Sequence, residues 1–180
     1  MTARLFLAIP IPEQVTEALE GAMQHYPQYI EKVVPRERWH LTLLWLGEVE
    51  NYAWYMRRLG GEMPQNFLPV ITLTHVGRGL RREQLWAYAH ETSVLKGVRT
   101  QIRQRVIKLR IPRIKTSKIA KESFVPHVRL ANFHSSSRGI GLADYPVGVT
   151  FTVKQVVIYS SEPESQGVKY INQGVIDLAP

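Results

Sequence analysis

The 180-residue chain contains no cysteine. Disulfides, zinc–thiolate sites and thiolate nucleophiles are thereby excluded, and a reducing cytoplasm suits such a chain. No stretch approaches the roughly 20 apolar residues of a membrane-spanning helix. There is no His-Glu-x-x-His and no dense carboxylate cluster, so no metal site is legible. A Gly-rich phosphate loop is missing too, which argues against ATP-dependent ligation, and no cofactor is implied. Acidic residues are in deficit: 15 against 23 Lys and Arg, a formal net charge of +8. An excess of that size favours a polyanionic partner, and nucleic acid is the usual one.

What is present supports a folded core. Hydrophobic residues make up 44% and charged residues 21% of the chain, a balance that argues against disorder. The length suits one domain over residues 1–180, built as two small lobes. Residues 4–9 read as a buried strand, with no signal-peptide layout before it. Val15, Ala18, Leu19 and Ala22 recur at helical spacing between Pro12 and residue 25 or so. Strands are expected over 40–46, ended by Gly47, and over 70–76 and 84–90, the latter two as an antiparallel hairpin. A helix is expected over 52–59, ended by Gly60-Gly61. A third helix starts at Thr92-Ser93, with the stripe Val94, Leu95, Val98, Ile102, Val106 and Leu109. Its charges, Arg99 among them, read as a solvated face. Residues 110–123 read as a basic loop, 125–131 and 149–159 as strands, and 170–178 as the last strand. The alternation predicts an α+β fold of two similar lobes.

Two histidines 87 positions apart sit in near-equivalent contexts. One is Trp39-His40-Leu41-Thr42-Leu43-Leu44-Trp45-Leu46-Gly47. The other is Phe124-Val125-Pro126-His127-Val128-Arg129-Leu130-Ala131. Two imidazoles facing one cleft can accept a proton from one oxygen and donate to another, which equips metal-free phosphodiester chemistry near neutral pH. On an ideal strand His40 and Thr42 share a face, with Leu41, Leu43 and Trp45 on the other. His127 and Arg129 likewise share a face. Thr42 offers a hydroxyl, and Arg129 a forked cation, to phosphate oxygens. The plain pattern His-x-Thr/Ser also occurs at His90/Thr92 and His134/Ser136. Thr92 is more simply a helix cap, and Ser136 belongs to a serine run in a loop, so strand context selects His127 instead.

Four stretches, in this order and spacing, resemble the 2H phosphoesterase superfamily. Within it, the chain is most similar to the RNA 2′,3′-cyclic phosphodiesterases, also called 2′-5′ RNA ligases. The stretches are Arg4-Leu5-Phe6-Leu7-Ala8-Ile9, residues 39–49, residues 124–131, and Val156-Val157-Ile158-Tyr159-Ser160-Ser161 with Tyr170. The resemblance implies two pseudo-symmetric α+β lobes, each an antiparallel sheet with helices, around a cleft. It implies metal-independent hydrolysis of an RNA 2′,3′-cyclic phosphate to a 2′-phosphate, and reversible 2′-5′ ligation when an RNA 5′-hydroxyl replaces water. The implied roles are His40 as proton donor and His127 as proton acceptor. The implied partner is RNA or a nucleotide with a cyclic phosphate; a cytoplasmic monomer that engages no membrane is expected.

Arg129 departs from the family pattern, which has Thr or Ser there and often Arg further on, where this chain has Asn132. Asn132 is an odd number of positions from His127, so an ideal strand turns it away from the cleft. Arg129 can clamp phosphate and lower the pKa of a nearby imidazole. The alternative is a non-catalytic module that binds RNA ends with Arg129 filling the site. A third reading is a 2H enzyme for another compound, such as a 2′-5′ oligonucleotide or a cyclic nucleotide. Arg81 and Arg82, with Arg78, lie near the hairpin turn as candidate phosphate contacts. Trp39, Trp45 and Trp86 read as core, and Tyr159 as packing that can reach the cleft. His25, His75 and His134 read as outside the chemistry.

Overall fold

The computed structural model describes residues 2–65, 68–112, 114, 123–165 and 167–179. Its strands are β1 (Thr2–Pro10), β2 (Ile30–Val33), β3 (His40–Glu50), β4 (Gly61–Pro64), β5 (Val70–Arg78), β6 (Gln84–Ala89), β7 (His127–Phe133), β8 (Tyr145–Thr152), β9 (Gln155–Glu164) and β10 (Gly167–Ala179). The helices are α1 (Glu13–Met23), α2 (Tyr52–Leu59) and α3 (Ser93–Lys108). Much of the basic loop expected over 110–123 lies outside the described residues.

The strands lie in the order β4-β10-β9-β1-β3-β7-β6-β5-β8, with β2 beside β7. The middle of this sheet is thin, because β3 and β7 meet at one register pair, Leu41 opposite Val128. That seam divides the sheet into two lobes, as the α+β reading expects. The first lobe holds β4, β10, β9, β1 and β3, drawn from both ends of the chain. The second holds β7, β6, β5 and β8. One detail departs from purely antiparallel lobes: β4 pairs parallel with β10.

The single strand expected over 149–159 is two. Strand β8 edges the second lobe, whereas β9 lies inside the first. The chain crosses between lobes at Val153-Lys154, where the Val153 amide donates to Pro69 O and Lys154 O accepts from the Leu178 amide. An apolar run cannot reveal such a crossing, since both pieces keep a buried face. Gly47 also fails to end β3. It takes φ +79°, a conformation glycine adopts without steric cost, and the strand continues to Glu50.

The helices tie the lobes together. α1 leaves β1 of the first lobe but packs on β8 and β5 of the second; α3 leaves β6 of the second but packs on β3 of the first. The buried α1 residues Val15, Leu19, Ala22 and Met23 form the face that makes this crossing possible. Thr92 caps α3 by accepting from the Leu95 amide at 3.1 Å. On α3 the solvated-face expectation fails for Arg99, which is 6% exposed. Its Nε donates to Leu43 O at 2.9 Å, and its guanidinium lies over the Phe124 ring at 4.4 Å. One buried cation thus joins β3 to the segment entering β7. Among the described residues no helix is long and apolar enough to cross a membrane.

Candidate active site

His40 opens β3 and His127 opens β7. Each ring is fixed in the same way: His40 Nδ1 lies 2.7 Å from Arg38 O, and His127 Nδ1 lies 2.7 Å from Val125 O. A carbonyl only accepts, so both nitrogens carry hydrogen. The neutral rings therefore present Nε2 as a lone pair, and the charged rings present it as a donor. The Leu41–Val128 pairing sets His40 across from Arg129 and Thr42 across from His127. All four share the face opposite Leu41 and Val128, which are both 0% exposed. His40 and His127 are thus diagonal neighbours, with backbones separated by about 7–8 Å in such a register. The charge of His127 is felt at His40.

Both strands bulge three residues after the histidine. In β3, Thr42 pairs with Ala8 and Leu44 with Leu7, leaving Leu43 as the extra residue. In β7, Arg129 pairs with Trp86 and Ala131 with Leu85, leaving Leu130 over. An extra residue shifts the alternation of everything beyond it. Two expectations based on ideal strands fall here. Trp45 is not core: it is 49% exposed and stacks on Phe6 at 5.4 Å, while Phe6 itself lies 4.9 Å from the His40 ring. Asn132 does not turn away: it lines one cleft with His40 and Arg129, and its Oδ1 accepts from Arg129. Trp45 and Asn132 are equivalent positions of the two half-sites. The signal was in the sequence, as the adjacent aliphatics Leu43-Leu44 and Leu130-Ala131 break a period of two.

Aromatic rings meet both histidines, several at His40 and one at His127. Phe6, Tyr170 at 5.1 Å and Tyr159 at 6.2 Å surround His40. Burial among them is the main reason its pKa falls to about 4, with the His127 charge adding to the fall and the Arg38 carbonyl opposing it. Burial likewise raises the Tyr159 hydroxyl above its ordinary value. His127 is lowered from 6.5, first by burial and then by Arg81, against the Val125 hydrogen bond. The charge expected from Arg129 thus reaches His127 from Arg81. Trp86, expected as plain core, is buried but stacks face to face on His127 at 3.6 Å. Trp39 is core, with Nε1 donating to Val34 O at 2.8 Å.

The Trp86 ring sits against Gly79, where an added Cβ would stand 2.5 Å from its Cε2. Gly79→Ala is therefore expected to push Trp86 off His127 and destabilise the fold by about 1–3 kcal/mol, the usual cost of overpacking. Denaturant unfolding checks this; an unchanged midpoint would mean that the ring moves aside freely.

The remaining cations separate. Arg81 is exposed, and its charge bears on both His127 and Arg129. Arg82 acts on Arg78 rather than on the histidines: its carbonyl accepts from Arg78 and its charge lowers Arg78. Arg78 also donates to Ser137 O at 2.8 Å and covers Phe133, so it braces the hairpin. His75 lies beside Tyr88 and Asp144, and His25 stacks on Tyr145. Among the described residues no three His, Asp or Glu are gathered at metal-binding distance.

No protein-family model and no curated protein matches the chain. Solved structures do. A structure of E. coli LigT complexed with ATP aligns over 100% of both chains, with a TM-score of 0.74 and 22% identity. TT0787 of Thermus thermophilus aligns over 97% of both chains, at 0.76 and 24%. A structure described as a phosphoesterase covers 100% of both, at 0.77 and 20%. The chain has the LigT fold. That fold agrees with the 2H phosphoesterase resemblance of the sequence. LigT has also been solved with NADP+, with phosphate and with 3′-AMP.

Proposed function

We propose that the protein is a metal-independent phosphodiesterase that opens RNA 2′,3′-cyclic phosphate ends to 2′-phosphates, with reversible 2′-5′ ligation as its companion reaction. The observation that carries the reading is the pair of imidazoles, fixed in one tautomer and diagonal across one register pair. His127 Nε2 takes a proton from water as the water oxygen bonds to phosphorus. The P–O3′ bond breaks, and His40 Nε2–H protonates the leaving 3′ oxygen. A desolvated imidazolium gives up its proton readily, which suits His40 as the acid. Thr42 and Arg129 hold the non-bridging oxygens, and Arg81 adds positive charge at the rim. Arg129 is held along its own strand by Asn132, which favours a clamp over a plug. Trp45 offers an open ring face on which a base can stack. The nucleotides and phosphate held by LigT support a ligand of this class.

Incubation with a nucleoside 2′,3′-cyclic phosphate in EDTA tests the proposal. A 2′-phosphate is the expected product; no product, or a 3′-phosphate, overturns it.

The pH profile follows from the two lowered imidazoles. Turnover needs one ring charged and one neutral. Above the higher pKa both are neutral, and below the lower both are charged. Both lie below 6.5 in the free protein, so kcat/KM, which reports the free enzyme, is expected to peak below about pH 6.5 and fall towards neutrality. Exchanging the two roles gives the same curve. The profile of kcat is expected to sit higher, because a bound phosphate anion favours the charged rings. A kcat/KM optimum at pH 7 or above would contradict the burial argument.

A further inference from the structure

The cleft beside His40 is larger than the reacting phosphate requires, and it is one-sided. It encloses about 180 Å³. His40 and Arg129 line it together with Val34, Arg38, Asn132 and Val168. Among the described residues that line it, His127 does not appear. This asymmetry fixes a direction. In the proposed step water enters from the His127 side, and the 3′ oxygen leaves on the His40 side. The terminal ribose therefore lies by His40, and the strand continuing from its 5′ oxygen departs on that side.

We infer that this cavity holds the sugar–phosphate of the nucleotide 5′ to the cyclic end, with Arg38 on its phosphate, so that RNA strands are preferred over mononucleotides. The inference rests on the cyclic-phosphate reading. The volume is below the about 300 Å³ at which sites begin to enclose a drug-sized ligand, and it suits a backbone unit better than a whole nucleoside. Its charge suits an anion: Lys32, Arg38 and Arg129 all line it. Among the described residues Arg38 pairs with Glu164, 3.5 Å away and 48% exposed, a rim contact that a phosphate can displace at little cost. Gly167 leaves the guanidinium its room. It takes φ +138°, and a Cβ there would stand 3.3 Å from Arg38 Nη1. Arg38 also supplies the carbonyl that fixes His40. A phosphate on its side chain is thus held in register with the ring that protonates the leaving oxygen.

The test compares a dinucleotide bearing a 2′,3′-cyclic phosphate with the matching mononucleotide. One charge-assisted contact predicts a kcat/KM ratio of about ten- to a hundred-fold in favour of the dinucleotide, carried by KM. Arg38→Gln removes the cation and Val168→Trp fills the cavity, so both are expected to bring the ratio towards one. A wild-type ratio near one, or a ratio unmoved by both variants, overturns the inference. Calorimetric binding of the 3′-phosphorylated dinucleotide and mononucleotide repeats the comparison without turnover. A preserved binding preference with no hydrolysis would sink the cyclic-phosphodiesterase reading and keep the subsite. Equal binding with hydrolysis would do the reverse.

Discussion

His127→Ala is expected to lower kcat on a nucleoside 2′,3′-cyclic phosphate by about 10²–10⁴-fold, the usual contribution of a positioned acid or base. His40→Ala is expected to fall in the same range. The two differ in what else they remove. His40 is packed among Phe6, Tyr159 and Tyr170, so its truncation also loosens the aromatic cluster. His127 has its ring laid on one aromatic neighbour, Trp86, so this variant separates chemistry from folding more cleanly. The double variant should be little worse than either single one, since in the proposed step the rings act as a unit on one proton inventory. Retention of most of kcat in His127→Ala, with an unchanged unfolding midpoint, would remove the imidazole from the reaction.

The shared face of each histidine and its partner was legible in the sequence because it depends on period two over three residues. His40 with Thr42, and His127 with Arg129, need only one stretch of regular strand each. Three positions beyond Thr42 and Arg129, prediction from alternation has broken down. Trp45 and Asn132 lie past the bulges at Leu43 and Leu130, and one extra residue reverses the face of those that follow until the next irregularity. The bulges leave a trace as paired aliphatics, yet such pairs also occur in strands buried on both sides. Only the neighbouring strand decides between these cases.

Long-range pairing hid the rest. Trp86 reaches His127 because β6 lies beside β7, and Gly79 permits it because the hairpin folds back over the ring. Arg99 reads as one of several helix charges until α3 is seen to cross to β3, where the bulged Leu43 carbonyl needs a donor. The lobes themselves are not the two halves of the chain. Strands β9 and β10 return to pair beside β1, an arrangement that composition and spacing do not encode. The alternation of strands and helices anticipated two lobes, as did the resemblance to a known family; periodicity did not show which strands each lobe holds.

Arg129→Ala is expected to cost about 10²–10³-fold in kcat, the range seen when one fixed donor to a developing charge is removed. The residue departs from the Thr or Ser of the family pattern, so its role decides whether the second half-site works. Register sets it across from His40, its guanidinium is held by Asn132, and it lines the same cleft as Tyr170. Burial lowers its pKa from the ordinary arginine value, but a guanidinium remains a cation throughout the working range. A cation held there gains most from a phosphate whose charge grows in the transition state, so the loss should fall on kcat more than on KM. Arg129→Lys should recover part of the rate, as it keeps the charge and loses the fork. Arg129→Thr restores the family's hydroxyl and discriminates between clamp and plug. A clamp predicts that it remains slower than the wild type. A rate above wild type would show that Arg129 obstructs the cleft, and the protein would then be a binder of RNA ends whose chemistry one side chain has silenced.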